Sequence, residues 1–275
     1  MRKLHRIIFL ATIAYLSIGV VSAKQDAMKD SKPPSRPGWK LTWHDEFDGP
    51  EVDPKKWEIL TRKNNFNEEL QYYVPEQATI IDGGILRLAA VETPKDGKKY
   101  QSARIESWFT QAFGRFECRA KIPATQGTWP AFWLLPRPAD WPRRGEIDIL
   151  ESKGSDPKWH SSAFHFADPE SRKHKYVTHA RSPKDAKGKL VDLSKDFHVY
   201  AVEWDADEMR FYLDDEKEPY YTVTTKDAPI SDQPMCVILN LAIGGWFGGN
   251  PDKTSKFPQF FDIDYVRVWQ KNAKD

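Results

Sequence analysis

The chain is a succession of short runs that alternate apolar and polar residues, each closed by a turn signal. Ala78-Thr79-Ile80-Ile81 leads into Asp82-Gly83-Gly84 and then into Ile85-Leu86-Arg87-Leu88-Ala89-Ala90. Successive side chains on a strand face opposite ways, so such runs read as strands joined by tight turns. Between Phe113 and Ile122, Phe116, Cys118 and Ala120 face one way and Glu117, Arg119 and Lys121 the other. Val199–Trp204 and Met209–Leu213 flank Asp205-Ala206-Asp207-Glu208 like the arms of a hairpin. Met235–Ile243 is almost wholly apolar, which suits a strand buried on both faces, and Ile263–Trp269 alternates again. No long stretch repeats at helical spacing, and no internal repeat is visible. Many short strands without helices predict an all-β sandwich or jelly roll.

Composition narrows the function. The 275 residues, 40% of them apolar, suffice for one large domain with a sizeable core. Basic and acidic residues nearly cancel, 41 against 40, so charge gives no argument for nucleic acid or an anionic membrane as partner. The 11 Trp and 10 Tyr are more telling. Aromatic rings pack well on the C–H faces of sugars, and equally well in a β core. At the N-terminus, Arg2, Lys3 and Arg6 precede an apolar run that ends at Val21-Ser22-Ala23. That pattern reads as a signal peptide, residues 1–23, cut near Ala23, and predicts a secreted or periplasmic protein. Residues 24–38 are polar and Pro-rich, as in a tether, and the folded domain is expected over residues 39–271. Cys118 and Cys236 could be a bridge or two buried thiols, because the sequence does not supply their separation.

The chemical centre is Gly145-Glu146-Ile147-Asp148-Ile149-Leu150-Glu151-Ser152. On a regular strand Glu146 and Asp148 share a face, and Glu151 falls on the other. A one-residue bulge between Asp148 and Glu151 would return Glu151 to the acidic face. Three adjacent carboxylates repel one another and resist desolvation, which a purely structural role does not explain. Retaining glycoside cleavage needs two such carboxylates, one as nucleophile and one as acid/base. On spacing alone a solvated acidic face or a cation site is the stronger reading.

The flanking residues add a resemblance. Gly127-Thr128-Trp129-Pro130-Ala131-Phe132-Trp133-Leu134-Leu135-Pro136 and the acid segment together resemble glycoside hydrolase family 16, in its laminarinase-like branch. Trp43–Gly49, Asn67–Tyr73, Ser102–Ile105, Gly114–Glu117, Tyr200–Trp204, Asn240–Gly245 and Asp264–Val268 extend the likeness over about residues 39–270, in family order. The resemblance implies a concanavalin-like β-jelly roll with a concave substrate cleft. It implies Glu146 as nucleophile, Glu151 as acid/base and Asp148 between them. Trp129 and Trp133 would stack on sugar rings, and Arg104, Asn67 and His165 would contact the substrate. Trp246 and Phe247 depart from the family pattern, so which of them floors a subsite stays open. Family members often carry one structural Ca²⁺, here implying Glu46, Gly84 and Asp264; catalysis needs no cofactor. The expected substrate is a β-1,3-glucan or mixed-linkage glucan, cut by a monomer that binds neither nucleic acid nor membrane. A marine galactan is the alternative, kept alive by the basic residues between Lys153 and Lys187; a non-catalytic lectin is a remote one.

Overall fold

The computed structural model describes residues 33–273, apart from Asp82 and residues 215–216. The predicted export segment 1–23 and most of the tether lie outside the described residues. In chain order the strands are β1 (Trp39–Asp45), β2 (Trp57–Ile59), β3 (Gln71–Tyr73), β4 (Ala78–Ile81), β5 (Ile85–Ala90) and β6 (Tyr100–Ser102). They continue with β7 (Arg104–Gln111), β8 (Gly114–Lys121), β9 (Thr128–Pro136), β10 (Glu146–Ser152), β11 (His160–Ala167) and β12 (His174–Arg181). The last are β13 (His198–Trp204), β14 (Glu208–Leu213), β15 (Tyr221–Thr224), β16 (Met235–Ile243) and β17 (Gln259–Lys271). The longest α-helix among the described residues is the single turn Gly245–Gly248.

Two antiparallel sheets form the sandwich that the alternation predicts. One runs β15-β14-β13-β8-β17-β5-β4, with β1 also on β17; the other runs β12-β11-β10-β9-β16-β7-β2. The hairpin read around Asp205 is present, with Trp204 opposite Met209. The inward residues of each strand meet between the sheets. Leu86, Phe116, Val202 and Val266 come from the first, and Ile105, Phe132, Phe164 and Leu239 from the second, all fully buried. β16 is buried along its whole length, as its composition implies. Cys118 on β8 and Cys236 on β16 are separate buried thiols on opposite sheets.

The acid-bearing strand departs from regular pairing where the sequence requires it. Asp148 lies opposite Ala163 and Glu151 opposite Ser161, so three steps along β10 match two along β11. On the other side Asp148 faces Trp133 and Leu150 faces Phe132. The extra residue lets both Ile149 and Leu150 enter the core. Two consecutive apolar side chains pointing inward reset the alternation, and Glu151 rejoins Glu146 and Asp148 on the open face. Leu150→Ala would empty a fully buried position beneath the acids. It should cost about 2–5 kcal/mol in urea unfolding, whereas Leu150→Met, which conserves volume, should cost less than about 1.5 kcal/mol.

Candidate active site

The acids line up across the open face of the β12-to-β2 sheet. Glu146 pairs in register with His165, and Asp148 with Trp133 on the opposite side. His165 Nε2 lies 3.1 Å from Asp148 Oδ2. One ligand atom each from Glu146, Asp148 and His165 fall within 4.8 Å of one another. Two carboxylates and an imidazole at that spacing are also a donor set for a divalent ion. The Trp129 indole N–H donates to Glu151 Oε1 at 3.0 Å and fixes its orientation.

Burial and proximity act together on these carboxyls. Desolvation raises all three, to about 8 for Glu146 and Glu151 and about 7 for Asp148. The Asp148 charge pushes both glutamates further up, while the positive fields of His165 and Arg104 oppose this at Glu146. At Glu151 the opposing influences are His165, the Trp129 hydrogen bond and Lys153. The cluster thus holds protons into the neutral range, as a general acid requires.

The predicted substrate contacts are brought to the same face but differ in what they can offer. Trp133 donates its indole N–H to Asn240 Oδ1 at 2.7 Å, with the Arg104 guanidinium 4.7 Å from its ring. Arg104 is ion-paired with Glu106 at 2.7 Å, so the expected sugar contact competes with a structural pair. Trp129 is only 7% exposed, because Phe247 stacks on it at 4.7 Å. Its clear contribution is the hydrogen bond to Glu151 rather than an open ring face. Trp246, 68% exposed, presents the open ring that the departure from the family pattern left unassigned.

Asn67 sits in a loop clamped to the next segment. Its backbone has φ 57° and its carbonyl accepts from Trp246 N at 3.2 Å. Leu70 N donates to the Ile243 carbonyl. Gly244 and Gly245 take positive φ here, and a Cβ would come within 2.6 Å of Leu70 and 2.7 Å of the Asn67 carbonyl. Glycine is required on both counts.

Glu69, Gln71, Tyr73 and Asn240 also belong to the site, within motifs that the sequence marks only as segments. Tyr73 Oη donates to Glu69 at 3.1 Å and accepts from Asn240 Nδ2 at 3.3 Å, while Gln71 donates to the same Glu69 oxygen at 2.6 Å. This network anchors Trp133 through Asn240. Burial raises the Glu69 carboxyl above its ordinary value. The signal was polar side chains on strand positions that the pattern marks as covered.

The residues expected to hold Ca²⁺ are otherwise engaged. Arg267 donates to both Glu46 oxygens, at 2.9 and 2.8 Å, and Arg119 donates to Asp264 Oδ2 at 2.8 Å. Gly84 packs beside the Glu46 and Phe47 carbonyls. The Glu46 and Asp264 carboxylates, already neutralised by guanidinium groups, are a poor fit as side-chain ligands of Ca²⁺.

A carboxyl raised by folding keeps its proton where the unfolded chain has lost it. Stability therefore falls as pH climbs from the ordinary carboxylate range to the raised values, and levels off above them. Asp148→Asn should flatten that decline in thermal unfolding between about pH 4 and pH 9. Equal slopes in both proteins would show that Asp148 does not carry the effect.

Comparison with known proteins agrees with this geometry. The model of "Glycosyl hydrolases family 16" matches residues 55–267. A beta-glucanase of Rhodothermus marinus is 36% identical over 257 residues, covering 85% of this chain and 86% of that protein. A glucan endo-1,3-beta-glucosidase of Cryptopygus antarcticus is 33% identical, covering 85% and 93%. The catalytic domain of an endo-1,3-beta-glucanase (laminarinase) from Thermotoga petrophila RKU-1 superposes with TM-score 0.76 at 32% identity, over 86% of this chain and 99% of that one. With the acids, their bulged strand and the surrounding tryptophans in family order, the chain belongs to glycosyl hydrolase family 16.

Proposed function

We propose that the protein is an endo-acting, retaining hydrolase of β-1,3-glucan. The observation that carries the reading is the bulged β10, which puts Glu146, Asp148 and Glu151 on one open face beside Trp129, Trp133 and His165. The relatives named above as glucan endo-hydrolases support the substrate. Glu151, held by Trp129, protonates the glycosidic oxygen while Glu146 attacks the anomeric carbon. Glu151 then takes a proton from the water that releases the sugar. Asp148, beside His165, lies between the two and holds the charge of the cluster in place. No step calls for a metal or an organic cofactor.

The arrangement of charge favours a neutral polymer over a sulfated one. On β12, Tyr176 lies opposite His165 and so shares the acids' face, whereas Lys175 and Arg181 alternate to the other side. Lys175 is paired with Asp168 at 2.6 Å, and Arg181 packs 4.8 Å from the Tyr220 ring. Lys175 and Arg181 therefore add no cations to the acid face, although Lys153 of the same stretch acts on Glu151. In this reading the enzyme acts as an exported monomer, since all three acids come from one chain and the polymer cannot enter a cell.

Glu146→Gln should lower kcat on laminarin by about a thousandfold or more while leaving the fold intact. Proton NMR of the first products of the wild-type enzyme should show the β-anomer. Undiminished cleavage by the variant would remove Glu146 as nucleophile. Wild-type cleavage of agarose, porphyran or carrageenan and not of laminarin would overturn the substrate while keeping the chemistry.

A further inference from the structure

The acid face does not end at His165. His165 Nδ1 and His174 Nε2 are 2.9 Å apart, their ring centroids are 5.1 Å apart and their planes differ by 12°. That centroid separation is about the N···N distance plus one ring radius on each side, so the imidazoles lie edge to edge in one plane. Tyr176 packs nearly parallel to both imidazoles. Its ring is 5.3 Å from His165 at 25° and 5.9 Å from His174 at 21°. Trp141, from the loop before β10, stands 4.5 Å from His174 at 43° and closes one side. The result is a contiguous cluster of three nearly parallel rings flanked by an indole, starting 3.1 Å from Asp148 and running out to the sheet edge.

Stability does not account for these residues. Trp141 is 49% and Tyr176 59% exposed, so each leaves about half of its surface open to solvent. Exposed aromatics on an edge strand are a liability that folds usually avoid, and a contiguous exposed patch marks a binding surface. The ring faces offer apolar contact, and the imidazole and phenol edges offer hydrogen bonds. A β-linked pyranose has the complementary form, with C–H groups on its faces and hydroxyls around its rim. An anionic ligand would instead need cations on this face, and Lys175 is turned away and paired with Asp168.

Resting on the glucanase reading, we infer that His165, His174, Tyr176 and Trp141 form a further sugar subsite. It binds a neutral glucosyl unit where the chain leaves the acids across β11 toward β12. His174 has a second role there: its bond to His165 Nδ1 orients the imidazole that faces Asp148.

The test measures kcat/KM on linear laminarioligosaccharides of increasing length, and on laminarin, for wild type, Trp141→Ala, Tyr176→Ala and Tyr176→Phe. Because both residues lie at the surface outside the core, the substitutions should leave the melting temperature near that of wild type. The ratio of kcat/KM for long over short substrates should fall about tenfold in each alanine variant, and Tyr176→Phe, which keeps the ring face, should retain it. Binding of a long oligosaccharide to Glu146→Gln protein should weaken to the same extent when Trp141→Ala or Tyr176→Ala is added. A ratio unchanged from wild type, or equal losses at every length, overturns the subsite and leaves the glucanase reading standing. A change from dimer to monomer without altered length dependence makes the face an interface between copies and also overturns it. A wild-type protein that cleaves no laminarin fails the glucanase reading, and the glucosyl subsite with it.

Discussion

Everything at this site depends on one irregularity in strand pairing. Without the extra residue in β10, Leu150 would face solvent and Glu151 would be driven into the core. The core settles the matter, because Ile149 and Leu150 both find places between the sheets. The hydrophobic effect thus determines the spacing of the three acids. Apolar burial is non-directional, but pinned to a strand it becomes positional information.

The acids are supported by groups that differ in kind. Trp129 orients Glu151 by a hydrogen bond, His165 faces Asp148, and Arg104 contributes charge from β7. Each comes from a different strand of one sheet, so their relative positions are as rigid as the ladder between them. Low-dielectric surroundings make such preorganised charge more effective than the same groups would be in water.

Much of this was legible beforehand, for identifiable reasons. Period-two alternation marked β8, β13, β14 and β17, and an unbroken apolar run marked β16, because strand burial is written locally. The bulge was legible because three acids at that spacing can share a face in no regular strand. What stayed hidden depends on contacts between distant segments. Nothing near Trp129 in sequence says that Phe247 covers it, and nothing near Glu46 says that Arg267 takes its carboxylate. Likewise the Glu69–Tyr73–Asn240 network joins residues whose polarity is visible but whose partners are set by the sandwich.

The clamp between the Asn67 loop and Gly244-Gly245 has a consequence for how such a site can change. A side chain larger than hydrogen at either glycine collides with the facing loop. Length or sequence changes in one segment must therefore be matched in the other. Trp246, carried on the same turn, cannot be re-aimed alone. Diversification of this end of the site proceeds by paired changes, whereas Tyr176, exposed on the open sheet edge, can be exchanged by itself.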